Sequence, residues 1–155
     1  MITHPKIGIV GLGYVGLPLA VAFSKNFNVI GLDISKSRIA ELNSGIDSTL
    51  EVEVSSLKGN KRISFTRKAH DLNTCNFIII TVPTPVDSNN LPDLSPLISA
   101  SRSIRGILQK NVTVIYDATV YPGATEEICV PILESESGLK FNKDFFVGYS
   151  PERIN

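Results

Sequence analysis

Ile7-Gly8-Ile9-Val10-Gly11-Leu12-Gly13-Tyr14-Val15-Gly16 carries an apolar run straight into a Gly-x-Gly-x-x-Gly spacing, and Leu17 to Phe23 then continues with a helical stripe. Glycine suits each of the three positions for its own reason. At Gly11 it lets the chain turn sharply off a strand, and at Gly13 it leaves no Cβ between the backbone and a pyrophosphate. At Gly16 it lets the new helix sit close against the sheet. The first N–H groups of that helix have no intrahelical partner and carry the positive end of its dipole, so a diphosphate can bind there. Such a spacing also marks ordinary tight turns. Here the strand before it, the helix after it and an acid, Asp33, about 20 positions beyond Gly13 select dinucleotide binding.

Working outward, apolar runs alternate with helical patterns. Lys6–Val10 reads as a strand buried on both faces, and a helix starts near Val15 or Gly16, where Pro18 falls in its first turn. Val29–Leu32 is a second strand ending on Asp33. Ser35 caps a helix through Ile39 and Leu42 that ends at Gly45. Between Ile46 and Arg62, Glu51–Val54 alternates like a strand, whereas Ser55, Ser56 and Gly59-Asn60 favour a loop or short helix. Further strands are expected at Ile63–Thr66, Asn76–Val82, Val112–Tyr116 and Phe145–Tyr149. Helices are expected from about Leu94 to Gln109 and from Ala124 to Leu133, and a polar loop from Asp87 to Pro92. This alternation predicts an α/β fold, a Rossmann-type doubly wound, mostly parallel sheet with helices on both faces. Ligands of such sheets lie beyond the carboxyl ends of the strands. Those positions are Gly11–Gly16, Asp33, Thr81–Pro85, Asp117–Gly123 and Ser150–Glu152.

The chain has 155 residues, enough for one domain spanning 1–155 with a sizeable core. Its 15 basic and 15 acidic side chains balance, which gives no electrostatic case for nucleic acid or an acidic membrane as partner. Apolar runs are too short to span a bilayer, and the N-terminus lacks the apolar core of a signal peptide. Cys75 and Cys129 are too few for a disulfide framework and lack metal-ligand spacing, so a cytoplasmic setting is expected and no metal. With no partner base, both read as buried structural cysteines, and His4 and His70 as solvated. Asp33 can accept hydrogen bonds from ribose hydroxyls and repel a 2′-phosphate, which favours NAD over NADP. Lys36 and Arg38 are nearby cations that work the other way. Thr81, Pro83 and Thr84 at a central strand end are expected to touch the cofactor, and the Thr119 hydroxyl to bond a cofactor or orient a water. Glu152 is placed to act as a general base.

Several segments together resemble the UDP-glucose/GDP-mannose dehydrogenase family. They are Gly11-Leu-Gly-Tyr-Val-Gly-Leu-Pro-Leu-Ala20, Val82-Pro-Thr-Pro-Val-Asp87, Pro92-Asp-Leu-Ser95, Thr119-Val-Tyr-Pro-Gly-Ala-Thr-Glu-Glu127 and Tyr149-Ser-Pro-Glu-Arg-Ile-Asn155. The last is similar to the branch acting on UDP-N-acetylhexosamines; the UDP-glucose branch usually reads Pro-Glu-Phe-Leu there. The resemblance implies NAD as cofactor and two-step oxidation of a sugar C6 alcohol to a carboxylate. It implies that Gly11, Gly13, Tyr14, Val15 and Gly16 hold the pyrophosphate and that Asp33 and Arg38 hold the adenosine ribose. Thr84 and Thr119 would lie near the nicotinamide half, with Glu152 handling water or protons. The family often has Glu-Ser-Thr where this chain has Asp117-Ala118-Thr119, so only Thr119 carries over. The family's nucleophilic cysteine, its lysine and asparagine, and its UDP-sugar domain come later than Asn155. The expectation is therefore an N-terminal NAD-binding domain of a longer enzyme that is a homo-oligomer at full length. Rival expectations are a stand-alone NAD-binding regulatory module and a dehydrogenase of the 6-phosphogluconate or 3-hydroxyacyl type.

Overall fold

Phe77-Ile78-Ile79-Ile80 has no polar side to turn towards water, and the chain gives it none. The computed structural model describes residues 4–86 and 91–151. Six strands, β1 (Lys6–Val10), β2 (Asn28–Leu32), β3 (Ile63–Thr66), β4 (Phe77–Ile80), β5 (Thr113–Asp117) and β6 (Phe146–Ser150), form one sheet in the order β3-β2-β1-β4-β5-β6. Every pairing is parallel: Ile7 sits between Val29 and Phe77, and Ile80 lies opposite Tyr116. This is the strand order of a dinucleotide-binding sheet, and its reversal point falls between β1 and β4. The Rossmann-type expectation is met, with a sheet parallel throughout.

Side chains alternate across the strands and so divide the core in two. Ile7, Ile9, Val29 and Ile79 pack against Leu17 and Ala20 of α1 (Gly16–Ser24), Ile39 and Leu42 of α2 (Lys36–Asn43) and Leu57 of α3 (Val54–Leu57). On the other face Val10, Ile78, Ile80, Val114 and Tyr116 meet Leu97 and Ile104 of α4 (Ser95–Ile104) and Leu133 of α5 (Val130–Ser137). Tyr116 is buried there with its hydroxyl 2.7 Å from Ser101 Oγ. Ser101 donates to the Leu97 carbonyl (2.9 Å), which leaves Tyr116 to donate to Ser101. Burial pushes the Tyr116 hydroxyl and the Cys129 thiol beside it above their ordinary ranges. It also pushes the Cys75 thiol up to about 11. Both cysteines are free and buried, as structural cysteines should be. His4 and His70 are exposed.

Local chemistry accounts for the element ends. Ser35 Oγ accepts from Arg38 N (3.2 Å) to start α2, and Gly45, with φ 73°, follows its end. Between Ile46 and Arg62 the short helix α3 forms, and Glu51–Val54 makes no strand. Two expected helices differ. The helix placed from Leu94 to Gln109 is α-helical only to Ile104 and tightens to a 3₁₀ turn over Arg105–Ile107, where Gly106 has little helix propensity. The last helix opens with a π-helical turn, Thr125–Cys129, and reaches Ser137 rather than Leu133. Pro131 has no N–H to continue the i→i−4 ladder at that junction. Of the expected polar loop, residues 87–90 lie outside the described residues, as does Glu152.

Candidate functional site

A cavity of about 750 Å³ opens at the carboxyl ends of β1, β2 and β4, where the strand order reverses. Its floor is the glycine loop. Gly11 has φ 96°, a left-handed conformation that a side chain rarely adopts, and its N–H donates to Leu32 O (2.8 Å). A Cβ on Gly16 would stand 1.8 Å from Gly11 O and 2.4 Å from Thr81 Oγ1, so the first turn of α1 closes onto the loop only without one. Gly13 is the reverse case. A Cβ there meets nothing within 4 Å and would project into free space at the cavity's edge. The loop thus leaves a gap in front of the N-terminus of α1 that suits a diphosphate.

Two side chains hold the peptide groups of Leu12. Asp33 Oδ2 accepts from Leu12 N (2.9 Å), and its Oδ1 accepts from Ser35 N (2.8 Å). Arg38 Nε donates to Leu12 O (2.7 Å). The Arg38 guanidinium is itself anchored, with Nη1 donating to Asp47 Oδ1 (2.8 Å) and to Glu41 Oε1, and Nη2 to Thr49 Oγ1 (3.2 Å). Asp47 also accepts from Thr49 N, Glu51 N and Val52 N at 2.8 to 3.0 Å. Burial alone would push the Asp47 carboxyl up. The hydrogen bonds from the Thr49 hydroxyl, Val52 N–H and Arg38 outweigh it and bring the pKa to about 2. With two backbone donors on its carboxylate, Asp33 keeps acceptor capacity for the vicinal hydroxyls of a ribose.

Of the residues expected at the site, Gly11, Gly13, Tyr14, Val15, Asp33, Thr81 and Pro83 line the cavity. Thr81 is buried, and its hydroxyl lies 2.7 Å from Gly11 O and 3.2 Å from Val10 O, so it ties β4 to the glycine loop. Gly16, Arg38, Thr84 and Thr119 are not among the lining residues. Gly16 and Arg38 sit directly behind the loop, and Thr119 is exposed after β5. Residues not expected here also line it: Ile34, Arg67 and Ala69, and a stripe of small residues on α4, Pro96, Ser99, Ala100 and Ser103. Arg67 follows the end of β3, a strand end the sequence reading passed over, and the α4 stripe follows from helical periodicity. Among the described residues the charged lining side chains are Asp33 and Arg67, with no cysteine, histidine, lysine or glutamate. No three His, Cys, Asp or Glu side chains of the described residues gather to hold a metal ion.

The sequence profile of the UDP-glucose/GDP-mannose dehydrogenase family, NAD binding domain, matches residues 5–155. The chain belongs to that family. The family's cofactor is NAD, and the residues that line the cavity at the strand reversal fit that group. The chain is 61% identical over 150 residues to a UDP-N-acetyl-D-glucosamine 6-dehydrogenase of Pseudomonas aeruginosa, covering 97% of this chain and 36% of the relative. It is 53% identical over 154 residues to the enzyme of the same name from Salmonella typhi, covering 99% and 36%. The fold superposes with a TM-score of 0.89 on a GDP-mannose dehydrogenase from Pseudomonas aeruginosa, 31% identical, covering 96% of this chain and 36% of that one. The chain spans about a third of the length of these relatives. No helix among the described residues is long and apolar enough to cross a membrane.

Proposed function

We propose that this chain is the cofactor-binding part of an enzyme that oxidises the C6 alcohol of a UDP-N-acetylhexosamine to the uronate in two NAD-dependent steps. The observation that carries this reading is the similarity of nearly the whole chain, at 61% identity, to a relative named as a UDP-N-acetyl-D-glucosamine 6-dehydrogenase. The Ser150-Pro-Glu-Arg-Ile-Asn155 ending agrees with it. Bound NAD would supply the hydride acceptor. The chain's own residues bind and orient. Gly11, Gly13, Tyr14, Val15 and Gly16 hold the pyrophosphate at the α1 N-terminus, and Asp33 the adenosine ribose. Thr81, Pro83, Thr84 and Thr119 lie towards the nicotinamide half, and Glu152 handles water or protons in the second oxidation. Cys75 and Cys129 are buried and neither borders the cavity, so neither is placed to act as a nucleophile there.

Titration calorimetry and a UDP-sugar oxidation assay test the reading together. The 155-residue chain should bind NAD and turn over no nucleotide sugar, and the full-length protein should oxidise UDP-N-acetylhexosamines in preference to UDP-glucose. Preference for UDP-glucose would overturn the substrate assignment. Gly13→Asp should abolish NAD binding by placing a carboxylate where the pyrophosphate sits, while leaving the melting temperature nearly unchanged, because a Cβ at Gly13 meets nothing. Unaltered NAD affinity in that variant would refute the role of the loop.

A further inference from the structure

A second cavity lies at the opposite pole of the sheet, where β4 and β5 begin. It encloses about 340 Å³ and is lined by two short segments, residues 73–76 before β4 and 109–112 before β5. Cys75 and Val112 are buried, and every other lining residue is polar. Backbone bonds hold both segments: Thr113 N donates to Asn76 O (3.0 Å), and Asn111 N to Asp144 O (2.6 Å). The side chains offer donors more than acceptors. Lys6 Nζ donates to Thr74 Oγ1 (3.0 Å), which leaves the Thr74 O–H to donate elsewhere. Asn76 Oδ1 accepts from Lys6 N (2.9 Å), while its amide N–H groups bond nothing among the described residues. The Asn111 side chain bonds nothing among them either. None of the ion pairs of the described residues includes Lys6, and Lys110, 73% exposed, meets only Asp144 Oδ1 at 3.5 Å. No acidic side chain lines the cavity.

We infer that this cavity binds a phosphoryl oxyanion, held by the ammonium groups of Lys6 and Lys110 and the carboxamide N–H groups of Asn76 and Asn111. Hydrogen bonds to an ionised oxygen are roughly twice as strong as those between neutral groups, and here two of the donors are themselves charged. A metal cation would be repelled by both lysines, and a neutral sugar would leave their charge uncompensated. The space equals that of about ten waters, so it admits phosphate itself or a small phosphate monoester. The cofactor cavity lies at the other end of β4, about 15 Å away along the strand. The inference therefore stands apart from the NAD-binding reading.

The test is an NMR titration of the 155-residue chain with inorganic phosphate and with glucose 6-phosphate, at constant ionic strength. It reads the side-chain amide signals of Asn76 and Asn111, and is repeated in Gly13→Asp, whose glycine loop is closed to phosphate. Both signals should shift saturably and identically in the two backgrounds. Lys6→Gln and Lys110→Gln should each weaken binding roughly five- to ten-fold, with circular dichroism melting to check that each variant is folded. Tighter binding of the monoester would identify the ligand as a phosphorylated metabolite, and equal binding the free anion; either upholds the site. Shifts that rise without saturating would overturn the inference, as would wild-type affinity in both lysine variants. Shifts lost in Gly13→Asp would also overturn it, since the anion would then sit at the glycine loop.

Discussion

Leu12 gives its side chain to the core and its peptide group to the site. Its N–H and C=O are both held by side chains, from Asp33 and Arg38, and Arg38 is held in turn by Asp47. A residue remote from the ligand can therefore affect binding. Asp47 titrates at about 2 in the folded chain against an ordinary 3.8. Its contribution is thus complete above about pH 4 and is lost as the pH falls towards 2. Asp47→Asn should remove about 1–2 kcal/mol of stability at neutral pH and flatten that acid limb, as urea unfolding at pH 7, 4 and 3 would show. An acid limb as steep as the wild type's would mean that Asp47 carries none of it. The same variant should bind NAD more weakly, because Arg38 is then free to leave Leu12 O. Asp33 was readable from the sequence through its offset from the glycines. Asp47 was not, since a carboxylate collecting five donors looks in sequence like any polar loop residue.

At the scale of elements, the junction of β1, α1 and β4 is the most crowded part of the site. A Cβ on Gly16 would overlap Gly11 O, a backbone atom that cannot swing aside. Gly16→Ala should therefore cost about 1–3 kcal/mol or more, measured by chemical denaturation, and wild-type stability would refute the close-packing account. The strands and α1, α2 were legible because an apolar run, a cap and a glycine each act over a few neighbouring residues. Ile7–Val10 and Phe77–Ile80 declare double-faced burial on their own. The π-helical turn at Thr125–Cys129 was not legible, since it depends on how the helix accommodates Pro131. Arg67 was missed because only its neighbour strand turns the end of β3 into a wall of the cavity.

At the scale of the molecule, the fold brings the two halves of the site together through one strand pairing. β1 meets β4 across about 70 residues of sequence, and the Thr81 hydroxyl bonds Gly11 O across that seam. The parallel sense of the sheet followed from the alternation of strands with helices. The identity of the cavity's α4 wall depended on which helix returns over β4, which a single sequence does not reveal.

The Leu12 clasp has a kinetic corollary. Its hydrogen bonds are made within the free chain, so a ligand arriving at the glycine loop finds the peptide already turned and has no ordering step to await. In stopped-flow mixing with NADH, the observed rate should climb in proportion to ligand concentration, without the plateau that a slow rearrangement imposes. A plateau would mean that the loop is still being set when the ligand arrives. In that case Asp33 and Arg38 would follow the ligand into place rather than wait for it.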